Sequence, residues 1–262
     1  MSADASDPEN VLIGGVAATI ETIVLQPTLY AKNAAAQGIP LTLDPRLYYR
    51  GISASLINEV GQLSLQFAVA GALKRAVPQD AAGEVVAASA AGAVVALVAS
   101  PCELLMIQQQ RFGGSLPATI GKLARQHGAL IFARGLGPAI ARDAIYVGGM
   151  LGATPVVHAG LVREGGSLAS APAVIASMAA SMVGGVIGAV ASHPLDVVKT
   201  CMQGDVGRVE FGGFADSARK LLREGRLFHG LAWRAANITA TVYIAHECTV
   251  RLPAHIQRLC HA

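Results

Sequence analysis

One proline-centred phrase occurs three times in this 262-residue chain, and it restricts the fold more than any other feature. It reads LQPTLYAK from position 25, ASPCELLM from 99 and SHPLDVVK from 192, around Pro27, Pro101 and Pro194. Each copy is followed by a second shared phrase, YYRGISASLINE, FARGLGPAIARD or FHGLAWRAANI, anchored by Gly51, Gly135 and Gly230. Such self-similarity means one supersecondary unit built three times, here over 1–78, 79–163 and 164–262. A proline inside a long apolar helix kinks it and frees a carbonyl. Three kinked helices around a threefold pseudo-axis are expected to converge at one end of a bundle.

Apolar stretches place that bundle in a membrane. Residues 85–102 are apolar or small throughout, 166–195 is broken only by His193, and 144–162 only by His158. Each reaches the roughly 18 residues of a spanning-helix candidate. Residues 11–26, 52–73 and 231–245 are weaker, because they contain Glu21, Glu59 and Arg234. Polar residues fall on one stripe of two of them: Ser55, Asn58, Gln62 and Gln66 on the first, Arg234, Asn237 and Thr241 on the second. Lipid does not solvate such a stripe, so it faces a water-filled cavity or another helix. Six spans are expected. Only 14% of residues are charged and 53% are apolar, against roughly 25% charged in a soluble domain. That excludes a disordered chain and argues against a cytosolic enzyme. A net charge of +3 spread over 20 basic residues leaves no footprint for nucleic acid.

Arginine and lysine set the orientation. The loops within repeats hold Arg46, Arg50, Arg111, Lys122, Arg125, Arg134, Arg208, Arg219, Lys220, Arg223 and Arg226, whereas the connections between repeats hold only Lys74, Arg75 and Arg163. Both termini therefore lie opposite the long loops. Cys102, Cys201, Cys248 and Cys260 form no CxxC pair and no metal-ligand spacing with the histidines.

SHPLDVVKTCMQ, with REGRLFHG downstream, resembles the signature of the mitochondrial carrier family. The resemblance covers nearly the whole chain. It implies an all-α membrane protein: six transmembrane helices in three pseudo-threefold helix–loop–helix repeats around a central cavity, with alternating access across the mitochondrial inner membrane. The long loops would face the matrix and both termini the intermembrane space, in agreement with the basic-residue distribution. It implies no cofactor; the partners would be a small-molecule solute and membrane lipids, cardiolipin at the matrix-side helix ends among them. Gly184 and Gly188 form a GxxxG suited to close helix crossing.

The family's matrix gate is a ring of three ion pairs. Carried onto this chain, Glu103 would pair with Lys199 and Asp196 with Lys32, while the third pair becomes Leu29 with Met106, both apolar. Losing both partners together strands no charge, which is why the replacement is cheap. Gln110 and Gln203 stand where the family has glutamine braces, and the first repeat has Ala36 there. Two further departures matter. The loop-side helix of the second repeat is expected to bury Leu116, Ile120 and Leu123, and that of the third Phe214, Ala218, Leu221 and Leu222. In the first repeat Pro40 and Pro45 interrupt 38–48, so no helix is expected. The opposite gate is nearly missing: it retains Lys74, nothing over 154–157, and His246-Glu247 with Arg251 out of register.

Family substrate contacts lie seven residues after each repeat's glycine and at the next position, here Asn58-Glu59, Arg142-Asp143 and Asn237-Ile238. The Arg-acid pair resembles that of amino-acid carriers. Arg142 could hold a carboxylate bidentately, with Asp143 or Glu59 meeting an ammonium; alternatively Arg142 and Asp143 balance each other. Arg234, on the stripe of the last span, joins the candidate set. No nucleophile–base pair, phosphate loop or metal constellation supports an enzyme. Two functions follow: a divergent carrier of an amino-acid-like or carboxylate solute, or a transport-incompetent carrier fold serving as a supernumerary subunit of a larger inner-membrane complex such as a respiratory-chain complex. The polar stripes favour the first; the missing loop-side helix and thin outer gate favour the second.

Overall fold

The computed structural model describes residues 7–42, 44–74, 81–163, 166–168 and 170–260. Every regular element among those residues is helical. Six long helices, α1 (Asp7–Gln37), α3 (Ile52–Lys74), α4 (Ala81–Phe112), α6 (Leu136–Val162), α7 (Ala173–Gly204) and α9 (Leu231–Cys260), alternate with the short α2 (Pro45–Tyr48), α5 (Leu116–His127) and α8 (Phe214–Arg223). In hydrocarbon every backbone group must be satisfied within its own segment, which a helix does. Among the described residues three segments, Val85–Phe112, Ala129–Val162 and Ala173–Gly204, are long and apolar enough to cross a membrane by composition alone. These match the three strongest stretches of the sequence. The expected 166–195 span begins at Ala173, because 166–168 and 170–171 run in turns and bends and Pro172 is extended at the start of α7. The expected repeat boundaries touch 75–80 and 164–165, which lie outside the described residues.

The long helices pack as a closed ring in chain order, α1 on α3, α3 on α4, α4 on α6, α6 on α7, α7 on α9, and α9 back on α1. The first long helices of the three repeats also meet across the ring, α7 touching both α1 and α4. Pro27, Pro101 and Pro194 each lie inside a helix, as does Pro155 of α6. Among the described residues, the hydrogen bonds that join α1, α4 and α7 all involve residues at or beyond those prolines, or Ser100 just before Pro101. The three helices thus converge at the loop-side end.

Glycines fix the crossings. Gly51, Gly135 and Gly230 all have positive φ (83°, 79° and 86°), which L side chains rarely adopt. A Cβ on Gly51 would lie 2.9 Å from the Met106 carbonyl oxygen, on Gly135 3.0 Å from Gln203 Cγ, and on Gly230 2.8 Å from the Lys32 carbonyl oxygen. Each repeat therefore starts its second long helix pressed against the first long helix of the next repeat. Between α6 and α7 the GxxxG acts similarly: Gly188 leaves room for the Tyr146 carbonyl, 2.6 Å from where its Cβ would be.

The loop-side elements correct three expectations. A single turn, Pro45–Tyr48, does form in the first repeat, because Asp44 accepts from the Arg46 amide at 3.0 Å and Pro45 suits the first helical position. In α5 Leu123 and Thr119 are buried while Ile120 is exposed. In α8 Ser217 and Leu221 are buried with Ala218 beside them, and Phe214 and Leu222 are exposed. Both helices present a narrower inner face than their apolar residues suggested.

Candidate functional site

Seven charged side chains from five helices meet below the prolines. Lys32 Nζ of α1 donates to Asp196 Oδ2 of α7 at 2.9 Å, and Lys199 Nζ of α7 to Glu103 Oε2 of α4. Leu29 packs on the apolar cluster that contains Met106, Leu104 and Ala54. Two ionic rungs and one apolar rung thus surround the axis. Asp196 and Lys199 are each 1% exposed.

Arg142 of α6 joins both rungs. Its Nη1 donates to Glu103 Oε1 at 2.9 Å and to Asp196 Oδ1 at 3.0 Å, and its Nη2 reaches Glu103 Oε2 at 3.3 Å. Nε and Nη2 also fork onto Asp143 at 2.8 and 2.9 Å. All five guanidinium N–H donors are thereby used. In this conformation Arg142 is balanced internally by three carboxylates, and no donor is left for a solute. Pairing between Arg142 and Asp143 was one of the two sequence readings; the bridge to Glu103 and Asp196 was not foreseen. It supplies, from the second long helix of a repeat, the charge that the Leu29–Met106 rung lacks.

Arg234 of α9 is different. Its Nη2 donates to Ser192 Oγ at 2.8 Å, and its Nη1 lies 3.9 Å from Asp196 Oδ2, beyond hydrogen-bond range. That Nη1 is buried and has no hydrogen-bond partner. The Tyr146 ring lies 5.6 Å from the Arg234 guanidinium carbon. Further along α9, Asn237 donates to Thr28 at 2.8 Å and Thr241 to Glu21 at 2.6 Å. The stripe on α9 therefore faces α1 and α7. Glu59 lies within electrostatic reach of Glu21 and Glu103, and the neighbouring Asn58 has its Oδ1 buried without a hydrogen-bond partner. Side chains of Gln66, Lys74 and Arg251 lie outside the described residues.

A layer of amides braces the converged ends. Gln203 Nε2 donates to the Ser100 carbonyl and hydroxyl at 3.1 Å and to the Arg134 carbonyl at 3.2 Å. Gln110 Oε1 accepts from Asn33 at 2.8 Å, and Gln108 donates to the Gln203 carbonyl at 2.6 Å. Ala36 makes no such bond, but it packs in the apolar cluster around Val197 and Phe211. Sequence reasoning missed Arg134, whose guanidinium closes the end of α7 on the carbonyls of Met202 (2.6 Å), Asp205 (2.7 Å), Gly212 (3.4 Å) and Phe211. Its signal was present: an arginine immediately before the repeat glycine. Asp205, past the end of α7, is pushed up by burial, but the amides of Phe211, Glu210 and Val209 outweigh this and hold its carboxyl below the usual range.

Comparison with known proteins bears on what this arrangement belongs to. The family model described as mitochondrial carrier protein matches residues 77–165 and 170–246, the second and third repeats. Mitochondrial uncoupling protein 6 of Arabidopsis thaliana is 29% identical over 238 residues, 82% of this chain and 69% of its own length. The mitochondrial arginine transporter BAC2 of the same organism is 29% identical over 270 residues, 91% of this chain and 88% of its own. The mitochondrial dicarboxylate/tricarboxylate transporter DTC, also from Arabidopsis thaliana, is 27% identical over 244 residues, covering 81% and 80%.

Proposed function

The chain belongs to the mitochondrial carrier family, and from that premise we propose that it moves a small carboxylate-bearing, amino-acid-like solute across the inner membrane by alternating access. The observation that carries this reading is the buried Nη1 of Arg234, which has Asp196 only at ion-pair distance and no hydrogen-bond partner. A buried donor without an acceptor costs free energy, and a solute carboxylate arriving there supplies the acceptor and a charge-assisted bond. Thr241 and Glu21 lie about 10 Å further along α9, at 1.5 Å per residue. Glu21 and Glu59 form an acidic region there that suits the cationic end of an amino acid. Two of the relatives, an arginine transporter and a dicarboxylate/tricarboxylate transporter, are named for carboxylate-bearing solutes.

On this reading Lys32–Asp196 and Glu103–Lys199, tied together by Arg142, form the closed loop-side gate, and Gln110 and Gln203 brace it. Asn58, Asp143 and Asn237 complete the solute site. A solute carboxylate at Arg234 lies beside Asp196, so it competes for the charge that holds the gate shut. Uptake of a panel of amino acids and dicarboxylates into proteoliposomes tests the reading, with and without Arg234→Gln. The orientation, loops toward the matrix, is tested by protease treatment of mitoplasts: the 122–134 segment should be protected and the N-terminus cut.

One observation favours the second reading, a non-transporting accessory subunit. The first repeat has a single turn where the others have ten- and twelve-residue helices. Migration inside a large complex on a mild-detergent native gel, with no uptake by the reconstituted protein, is the result that reading requires.

A further inference from the structure

Between the loop-side gate and the level of Thr241 the charged side chains of the described residues do not balance. Lys32, Lys199 and Arg142 are matched by Glu103, Asp196 and Asp143, and these six are bound to one another. That leaves Arg234 against both Glu21 and Glu59. The interior beyond the gate therefore carries one carboxylate more than it has cations.

The two acids come from neighbouring helices, α1 and α3. Glu21 Oε1 accepts from the Thr241 hydroxyl at 2.6 Å, and no cation lies beside this carboxylate among the described residues. The charges nearest Glu59 are themselves acidic, Glu21 and Glu103. Asn58, next to Glu59, is 8% exposed, and its Oδ1 is a buried acceptor without a donor. A carboxylate without a cation is costly inside a membrane, and a charged N–H donor relieves it. At the other end of the same stretch Arg234, 9% exposed, keeps its Nη1 without an acceptor. The two ends are about 10 Å apart along α9.

Resting on the carrier reading above, we infer that the solute has one carboxylate and two cationic groups, as a basic amino acid does, and that Glu21 determines this specificity. Its carboxylate meets Arg234, and its two cations meet Glu59, with Asn58 beside it, and Glu21. A solute of net charge +1 brings the interior to neutrality. A neutral amino acid leaves one carboxylate without a cation, and a dicarboxylate sets further negative charge beside Glu21 and Glu59. A side chain of three or four methylenes, with hydrogen bonds of about 3 Å at each end, covers the distance between Arg234 and Glu21. Glu21 belongs to none of the three pairs that follow the repeat glycines, and its contact with Thr241 is what places it in the site.

The test compares arginine and lysine with citrulline, which keeps the shape of arginine without its side-chain charge, and with malate. Uptake into proteoliposomes reads transport, and thermal unfolding of the full-length protein in detergent with each compound reads binding alone. The basic amino acids are expected to be favoured over citrulline and malate by about tenfold or more in kcat/KM. Glu21→Gln is expected to lower kcat/KM for arginine by about tenfold or more and to narrow the ratio of arginine to citrulline. Glu21→Asp, which keeps the charge and serves as second variant should the glutamine not fold, is expected to retain the preference. Stabilisation selective for arginine without uptake supports the site and contradicts transport. Citrulline or malate handled as well as arginine leaves the carrier reading standing and overturns this inference. A preference for arginine equally strong in Glu21→Gln overturns the role of Glu21. Neither uptake nor stabilisation with any of the four compounds contradicts the carrier reading itself, and the inference falls with it.

Discussion

Arg142 of α6 donates to Asp196 of α7 at 3.0 Å while the same nitrogen holds Glu103 of α4 at 2.9 Å. One guanidinium therefore joins two ionic rungs that the repeat spacing alone would leave independent. Its loss leaves carboxylates buried with too little compensation. Arg142→Gln is expected to destabilise the protein by about 3–5 kcal/mol, read as thermal unfolding in detergent. Arg142→Lys should recover only part of that, since an ammonium has three donors where the guanidinium makes five bonds to the three carboxylates. Stability of the glutamine variant within measurement error of the parent would remove Arg142 from the network.

The apolar rung is tested by putting the missing pair back. Leu29→Asp and Met106→Lys each bury an unpaired charge among Leu104, Ala54 and Ile107, which should cost several kcal/mol singly. Together they should cost less than the sum of the two, by about 0.5–3 kcal/mol of coupling. Additive losses would mean that positions 29 and 106 do not face each other across the ring.

Helix crossing at Gly188 is tested by adding bulk. Its Cβ would lie 2.6 Å from the Tyr146 carbonyl and 3.0 Å from the Met150 amide, both backbone groups that can move only with α6. Gly188→Val is expected to destabilise by about 1–3 kcal/mol or more. Gly152→Val, where nothing lies within 4 Å of the added Cβ, should be nearly neutral. Equal melting of the two variants would contradict the crossing.

The turn after α7 gives a pH dependence. Asp205 is held below its ordinary range when folded, so its contribution is fully present above the unfolded value of about 3.9. It is lost as pH falls through the lower folded value. Asp205→Asn should flatten that acid limb of the stability curve and leave the slope between pH 6 and 8 unchanged. An unaltered acid limb would show that the three amides are not what stabilises the carboxylate.

How much of this could be read from the residues depends on which repeat phrase carries each one. Lys32, Glu103, Asp196 and Lys199 sit at fixed offsets from their prolines, so the contacts between them follow from the threefold repeat. Arg142 sits at an offset from a glycine in the other phrase, and no repeat spacing relates it to Glu103 or Asp196. Whether they meet depends on the tilt of α6, set by Gly92 and by Gly149 against Gly188: a Cβ on Gly92 would lie 3.2 Å from the Asp143 carbonyl. The orphaned donor of Arg234 was equally hidden, because it arises from how Ser192 and Asp196 share one guanidinium. The turn at Pro45 was missed for a local reason: a proline that breaks a long helix is well placed to start a short one.

The measurement that bears most directly on function is counterflow of radiolabelled amino acids and dicarboxylates into proteoliposomes holding folded protein, parent beside Arg234→Lys. Lysine keeps the charge of Arg234 but loses the planar fork that matches a carboxylate. Saturable uptake of at least one carboxylate-bearing solute by the parent is expected, falling by about tenfold or more in Arg234→Lys with no fall in the amount of folded protein. No uptake of any solute by the folded parent, or uptake unchanged in Arg234→Lys, would contradict a carrier that grips its solute at Arg234.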